Sequence, residues 1–333
     1  MTQTFAVLGD GAWGTAVALL LAQNPSHRVR LWCARPERAA ELAARRENER
    51  FLPGVPLPET LPITADLRAA LAEVDLAVAA VPTVYMRATL TLLGRAIAAD
   101  VPILSLAKGV EHPSFCRPTE ILAELAGPRP LAVLSGPSHA EEVSRGLPTS
   151  VVAASGDASL ARMVQQRFTT ERFRVYTNAD VIGVETAGAL KNVIAIAAGI
   201  SDGLGFGDNA KAALLTRGLV EMARFGVAVG GDQATFYGLA GLGDLMTTCV
   251  SPHGRNRRVG LRLAAGEPLT AILKSTEMVA EGVYTTRSVY ERSQQLGIDM
   301  PILTEVYRML YEGKPPRLAV SDLMLRALVS EVR

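Results

Sequence analysis

Along the first half of the chain, short apolar runs closed by glycine or proline alternate with longer stretches of mixed polarity. Residues 5–9, Phe-Ala-Val-Leu-Gly, form an unbroken apolar run of the kind a strand shows when both its faces are covered. Residues 15–22 follow with helical character, and a second strand is predicted over 27–33. A proline-rich connection, Leu52-Pro-Gly-Val-Pro-Leu-Pro58, leads to a helix over 66–72 and a strand over 75–81 that Pro82 stops. A helix to about residue 97 and strands over 102–107 and 131–135 come next, and strands over 149–154 and 172–177 flank a helix over 158–168. Strand and helix alternating in this way predict a mostly parallel sheet with helices on both faces.

Beyond residue 178 no strand pattern remains. Helical patterns cover 178–199, 210–229, 257–265, 282–296 and 301–311, with the glycine-rich stretch 199–208 read as a bend. The expected organisation is an α/β domain over 1–178 followed by an all-α domain over 179–333, joined by the helix at 178–199. That joining helix is apolar or small on nearly every face, with Asn178 or Asp180 to cap its start, so it should be buried. Lys191 breaks the pattern. Its neighbours one turn away are Ala187, Gly188, Ile194 and Ala195, so no carboxylate on the helix can pair with it. Either the side chain snorkels to a surface, or it is a buried amine with a shifted pKa and a distant partner. Asn192 beside it, and Gly188 and Gly199 allowing close backbone approach, favour a functional lysine.

A chain of 333 residues can bury two cores. Its formal net charge of +1 builds no large single-sign field, which argues against a nucleic-acid or membrane-surface role. Cys33, Cys116 and Cys249 are far apart, as fits reduced thiols, and the four histidines are scattered, so no metal site is expected. The chain runs from Met1 straight into a strand with no signal-peptide pattern, and no long uninterrupted apolar run suggests a membrane span. A cytoplasmic protein is expected.

Gly9-Asp-Gly11-Ala-Trp-Gly14 carries G-x-G-x-x-G between a strand and a helix, the context that gives the motif meaning. Its glycines permit a tight turn, approach of a pyrophosphate and close helix-on-strand packing, while the helix N-terminus offers unpaired N–H groups. The expected fold is therefore a Rossmann-type dinucleotide-binding domain. About 20 residues on, where NAD-selective folds place an acid, stand Ala34 and Arg35. Arg35 could pair with a 2′-phosphate or be a solvated loop residue; the first reading puts NADP(H) ahead of NAD(H), which stays compatible. Lys108 follows its strand directly, at the rim where ligands of such sheets lie. Ser138 and Glu141 have the spacing of a capping box, and the helix they would open could present N–H groups to an anion. Asp244, among glycines, is either a helix N-cap or the partner Lys191 lacks. Arg255 and Asn256 after Gly254 are either part of a solvated basic face or a phosphate site.

These motifs together resemble the bacterial NAD(P)-dependent glycerol-3-phosphate dehydrogenases. The resemblance rests on Gly9-Asp-Gly-Ala-Trp-Gly-Thr15, Leu106-Ala-Lys-Gly-Val-Glu111, Leu134-Ser-Gly-Pro-Ser-His-Ala140, Ala189-Leu-Lys-Asn192, Gly241-Leu-Gly-Asp-Leu245, Gly254-Arg-Asn-Arg257 and Val279-Ala-Glu-Gly282, in order over nearly the whole chain. It implies reversible reduction of dihydroxyacetone phosphate to sn-glycerol 3-phosphate, a precursor of glycerophospholipids, by a homodimer. It implies Lys191 as general acid and base, with Lys108, Asn192, Asp244 and Thr248 around the reacting group. Gly136, Ser138, Gly254, Arg255 and Asn256 are implied as substrate contacts. Gly9, Gly11, Ala12, Trp13, Gly14, Arg35, Lys108, Ala140, Arg255, Val279 and Glu281 are implied at the dinucleotide. Two positions depart from the family pattern. Gly254 stands where many relatives have Ser, and Asp10 puts a charge inside the glycine loop, unfavourable beside a pyrophosphate unless it points away. The competing readings are a related two-domain NADP-dependent keto or hydroxy acid reductase and a non-catalytic dinucleotide sensor.

Overall fold

The computed structural model describes residues 2–275, 279–328 and 330–331. Its strands are β1 (Gln3–Leu8), β2 (His27–Trp32), β3 (Glu47–Asn48), β4 (Leu52–Pro56), β5 (Ile63–Thr64), β6 (Leu76–Ala79), β7 (Ile103–Ser105), β8 (Leu131–Ser135), β9 (Thr149–Ala154) and β10 (Phe173–Asn178). Eight of them form one sheet in the order β10-β9-β8-β7-β6-β1-β2-β5. All neighbours are parallel except β8 and β9, which run antiparallel. In β1, Phe5 and Val7 enter one core while Ala6 and Leu8 enter another on the opposite face. Both faces being covered explains why the run is continuously apolar rather than alternating. The result is a Rossmann-type domain with a mostly parallel sheet, followed among the described residues by helices alone.

The ends of the elements differ from the sequence-based expectation for physical reasons. Strands β6 and β7 are shorter than their apolar runs: Ala80 and Leu106 each give a last N–H to the neighbouring strand, and with Val81, Pro82 and Ala107 they line a cleft at the strands' carboxyl ends. The expected single helix after Pro82 is two short ones, Thr83–Thr89 and Leu93–Ala96. Between them Thr91 Oγ1 donates to the carbonyls of Arg87 and Ala88, competing with continuation of the helix. The proline-rich connection forms β4, which pairs antiparallel with β3 just before it, and these short strands carry no readable period.

Helix Val181–Gly203 is the axis of the second half. Asp180, not Asn178, caps it, its Oδ1 accepting from the Gly183 N–H at 2.7 Å. Among the described residues it is the one helix long and apolar enough to cross a membrane, and 83% of its apolar window is buried inside the protein. The bend expected over 199–208 proves narrower: the helix continues through Gly203, the chain turns at 204–206 with Gly205 and Gly207 at positive φ, and Gly199 and Gly203 serve packing instead. A Cβ at Gly199 would lie 2.0 Å from the Arg257 carbonyl oxygen, and one at Gly260 would lie 2.1 Å from that of Ile196. Helix Arg255–Ala264 thus lies backbone to backbone on the axial helix, which delivers Arg255 and Asn256 to the cleft. A second tie is Glu185, buried on the same helix, whose carboxylate accepts from Thr119 N (2.8 Å), Thr119 Oγ1 (2.7 Å) and Arg117 Nη1 (2.8 Å) on the sheet side. Nothing in the spacing of Glu185 announced this.

Gly260→Ala is expected to lower the unfolding free energy by about 2 kcal/mol, the scale of an overpacked contact that must push backbone aside. Denaturant unfolding measures it, and an unchanged midpoint would contradict the backbone contact.

Candidate active site

The cleft lies where the carboxyl ends of the parallel strands meet the helical half, the position ligands take in such sheets. One end is the glycine loop. Gly9 has φ +129°, and a Cβ there would sit 2.8 Å from the Ala80 carbonyl oxygen; one on Gly14 would sit 2.1 Å from that of Gly9. These two positions admit only glycine. Gly11 is different: no atom lies within 4 Å of where its Cβ would be, so the space before it is open. It also caps helix Ala12–Ala22 without a side-chain hydrogen bond, leaving first-turn N–H groups for a ligand. Gly11, Ala12, Trp13 and Gly14 line the cleft, and this open cradle fits a dinucleotide pyrophosphate.

At the other end two lysines share one carboxylate. Lys191 is 6% exposed, and its Nζ donates to Asp244 Oδ1 at 2.7 Å and to Thr248 Oγ1 at 2.6 Å. Lys108 donates to Asp244 Oδ2 at 2.7 Å and to the Gly136 carbonyl at 2.9 Å. Asp244 is 2% exposed; burial pushes its carboxyl up, but the two ammonium groups outweigh that and hold it below the usual range. Lys191 is displaced the other way: burial lowers its pKa to about 8, although Asp244 raises it. Asp244 opens helix Asp244–Val250 after a π-helical turn, Leu239–Gly243. Its carboxylate is turned to the lysines and is not an N-cap, which resolves the two readings its sequence context left open.

The remaining candidates fall into three groups. Lys108, Ser138, Ala140, Lys191, Asn192, Asp244, Thr248, Arg255, Asn256, Val279 and Glu281 line the same cleft as the glycine loop. Gly9, Gly136 and Gly254 stand behind the lining as backbone; Gly254 is buried, and a Cβ there would lie 2.7 Å from the Thr248 carbonyl oxygen. Arg35 is outside the lining, exposed at the start of helix Pro36–Arg45 after β2. Several lining residues are also braced, two of them across the two halves and Asn256 within the helical one. Asn192 Nδ2 donates to the Lys108 carbonyl (3.1 Å), Gly282 N donates to Asn256 Oδ1 (3.0 Å), and Thr83 N donates to the buried Glu281 Oε1 (2.7 Å). Burial pushes the Glu281 carboxyl up.

Two expectations are corrected here. Ser138 and Glu141 form no capping box: helix Ala140–Val143 is a single turn capped by His139 without a side-chain bond, and Ser138 Oγ donates to the Gly136 carbonyl at 2.9 Å. Asp10 does not face the pyrophosphate cradle as a free charge, since its carboxylate pairs with Arg38 Nε at 3.3 Å. The sequence reading missed His139 and His253, which line the cleft with ring centroids 5.8 Å apart. Burial, and then the Lys191 charge, keep His139 below the usual imidazole range. Their encounter joins residues over 100 positions apart, and no local signal carries it.

Sequence models described as the N-terminus and the C-terminus of NAD-dependent glycerol-3-phosphate dehydrogenase match residues 4–161 and 180–321. A glycerol-3-phosphate dehydrogenase (NAD(P)+) of Chlorobium limicola is 51% identical, over 98% of this chain and 99% of that protein. One from Geobacillus thermodenitrificans is 49% identical, over 99% of this chain and 97% of that protein. The crystal structure of glycerol-3-phosphate dehydrogenase from Coxiella burnetii superposes with a TM-score of 0.93 at 42% identity, covering 98% of this chain and 99% of that one.

Asp244→Asn leaves two buried ammonium groups without their shared anion, a loss of about 3 kcal/mol at pH 7. Without Asp244 the folded-state pKa of Lys191 falls further below its unfolded value, so the folded state binds fewer protons. The deficit should therefore shrink as pH rises towards 10, near the unfolded lysine pKa of about 10.4. Denaturation of both proteins at the two pH values tests this; a deficit independent of pH would contradict it.

Proposed function

Because the chain belongs to the NAD-dependent glycerol-3-phosphate dehydrogenase family, we propose that Lys191 is its general acid and base. The enzyme is an NAD(P)-dependent oxidoreductase whose substrate pair is sn-glycerol 3-phosphate and dihydroxyacetone phosphate. The observation that carries the proposal is the placement of a buried lysine, with its pKa lowered to about 8, in the same cleft as the glycine loop.

An ammonium has three N–H donors, and Lys191 commits two of them to Asp244 and Thr248. The third is free for the oxygen on the reacting carbon. The nicotinamide of a dinucleotide held by the glycine loop would supply the hydride for ketone reduction and, in its oxidised form, would accept it in alcohol oxidation. In ketone reduction the Lys191 ammonium stabilises the alkoxide that forms and gives it a proton; in alcohol oxidation the neutral amine takes that proton back. Asp244 holds both lysines in place and stays ionised. Lys108, Lys191 and Asp244 sum to a single positive charge, which suits an anionic substrate. Asn192 fixes the Lys108 backbone, and Ser138 borders the same space. Arg255, exposed at the cleft's edge and lightly held by the Val279 carbonyl at 3.3 Å, is the cation for the substrate phosphate, with Asn256 beside it. Val279, Glu281 and Ala140 complete the walls along the dinucleotide.

NADP(H) is assigned as the preferred cofactor and NAD(H) as an accepted one, on the lack of an acid at the end of β2 and the exposed Arg35 there. Residues 1–178 are taken as the cofactor domain and 179–333 as the substrate domain. Supply of glycerophospholipid precursor, a cytoplasmic location and a homodimer complete the reading, and rest on the family resemblance.

Oxidation of NADPH with dihydroxyacetone phosphate, against 2-keto acids as controls, is the direct test; turnover confined to 2-keto acids would overturn the substrate assignment. Lys191→Ala should lower turnover by roughly 10²–10⁴-fold, the contribution of one positioned acid, with cofactor affinity close to normal. In the intact enzyme, alcohol oxidation needs the neutral amine and should rise as pH passes through about 8, while ketone reduction needs the ammonium and should fall there. Near-wild-type turnover in the alanine variant would sink the role. Arg35→Glu should weaken NADPH binding far more than NADH binding, and equal losses would remove the argument for a 2′-phosphate contact.

A further inference from the structure

The glycine loop is braced from beneath by a polar network that the reaction does not use. Asn48, in β3, is wholly buried, and both ends of its carboxamide are engaged. Its Nδ2 donates to the Asp10 carbonyl and to Thr15 Oγ1, each at 2.8 Å, while its Oδ1 accepts from Arg38 Nη2 at 3.0 Å. Arg38, 6% exposed in the first turn of helix Pro36–Arg45, is committed on every edge. Nε meets Asp10 Oδ2 at 3.3 Å, Nη1 meets Glu41 Oε2 at 2.6 Å, and the guanidinium lies over the Phe51 ring at 5.4 Å. The Asp10 side chain keeps 17% of its surface exposed.

The position of this network in the sheet gives it a consequence for the cofactor. The Gly9 N–H donates to the Trp32 carbonyl at 3.0 Å, so residue 10 lies against the carboxyl end of β2. The Cys33 thiol at that end is pushed up to about 12 by burial and then by the Asp10 charge. This is where a dinucleotide's adenosine ribose is read in such sheets, by an acid when the ribose is unmodified and by arginine when it carries a 2′-phosphate. Two arginines stand there, three residues apart. Arg35 is exposed, whereas Arg38 is neutralised by Asp10 and Glu41 and tied down by Asn48.

We propose that Asp10 is a specificity-determining residue that restrains preference for the phosphorylated dinucleotide, by withholding Arg38 from the 2′-phosphate and setting a carboxylate beside it. The proposal rests on the cofactor reading above and deepens it. Arg35 attracts a 2′-phosphate and Asp10 opposes it, so the chain accepts both dinucleotides with a modest preference. With Asp10 the cluster of Arg38, Asp10 and Glu41 carries one net negative charge, and an uncharged residue at position 10 would leave it neutral with an edge of the Arg38 guanidinium released. The acid on the strand end that NAD-selective sheets use is thereby replaced in function by an acid in the glycine loop.

The test is direct binding of NADPH and NADH to the intact enzyme without substrate, followed through the fluorescence of Trp13 in the cleft. Asp10→Asn keeps the size of the side chain and an acceptor for Arg38 while removing the charge. The ratio of NADPH to NADH affinity should rise roughly tenfold, the scale of one charge at several ångströms in a half-exposed site. Arg38→Gln, which leaves Asp10 without its counter-ion, should move the ratio the other way. Both shifts should collapse at about 1 M salt, where screening reaches about 3 Å. Equal changes for the two dinucleotides, or a shift that salt leaves intact, would show that Asp10 only braces the loop and would overturn the proposal. Failure of the wild-type enzyme to bind either dinucleotide would instead remove the cofactor reading itself.

Discussion

One buried carboxylate, that of Asp244, lies between two lysines and determines what the cleft can do. Lys108 arrives from the end of a parallel strand and Lys191 from the middle of the axial helix, and their Nζ atoms reach opposite oxygens of Asp244 at 2.7 Å. An isolated ammonium at this depth would lose its proton, and two would repel each other, so the lysines can be buried together only with the anion between them. The balance is incomplete: burial lowers the Lys191 pKa to about 8, and one anion shared with a second cation, Lys108, does not restore it. A fully compensated lysine would hold its proton too firmly to exchange it.

That arrangement needs three separate elements brought to within a few ångströms, and glycine makes this possible. The axial helix accepts helix Arg255–Ala264 at backbone distance because Gly199 and Gly260 have no side chains. The π-helical turn before Asp244 needs Gly241 for the same reason, since a Cβ there would sit 2.0 Å from the Phe236 carbonyl oxygen. Glu185 then ties the axial helix to the sheet half through Thr119 and Arg117. Placement of the lysine is thus a consequence of close packing on all sides of one helix. The glycine loop shows the same economy at the other end of the cleft, where Gly9 and Gly14 are required by backbone contact, while Gly11 faces open space.

Legible in the sequence alone were the class of the fold, every strand of the main sheet except the two-residue β5, the glycine loop and the oddity of Lys191. These are local properties: apolar runs, a motif within six residues, and a charge on an otherwise apolar helix. It also made Asp244 a candidate partner, because a carboxylate among glycine and apolar residues is as unusual as the lysine. The helix after Pro82 breaks at a local contact, the Thr91 hydroxyl on the carbonyls of Arg87 and Ala88, whereas which glycines pack was decided by tertiary contacts, as at Gly203. Ser138 and Glu141 had the spacing of a cap, but the Gly136 carbonyl captured the serine hydroxyl instead. Only the folded chain decided that Asp244 serves two lysines, that His139 meets His253, and that Asn48 reaches across to Asp10 and Arg38. Each of those contacts joins residues at least ten positions apart, and their energies depend on burial and distance, which sequence spacing does not encode.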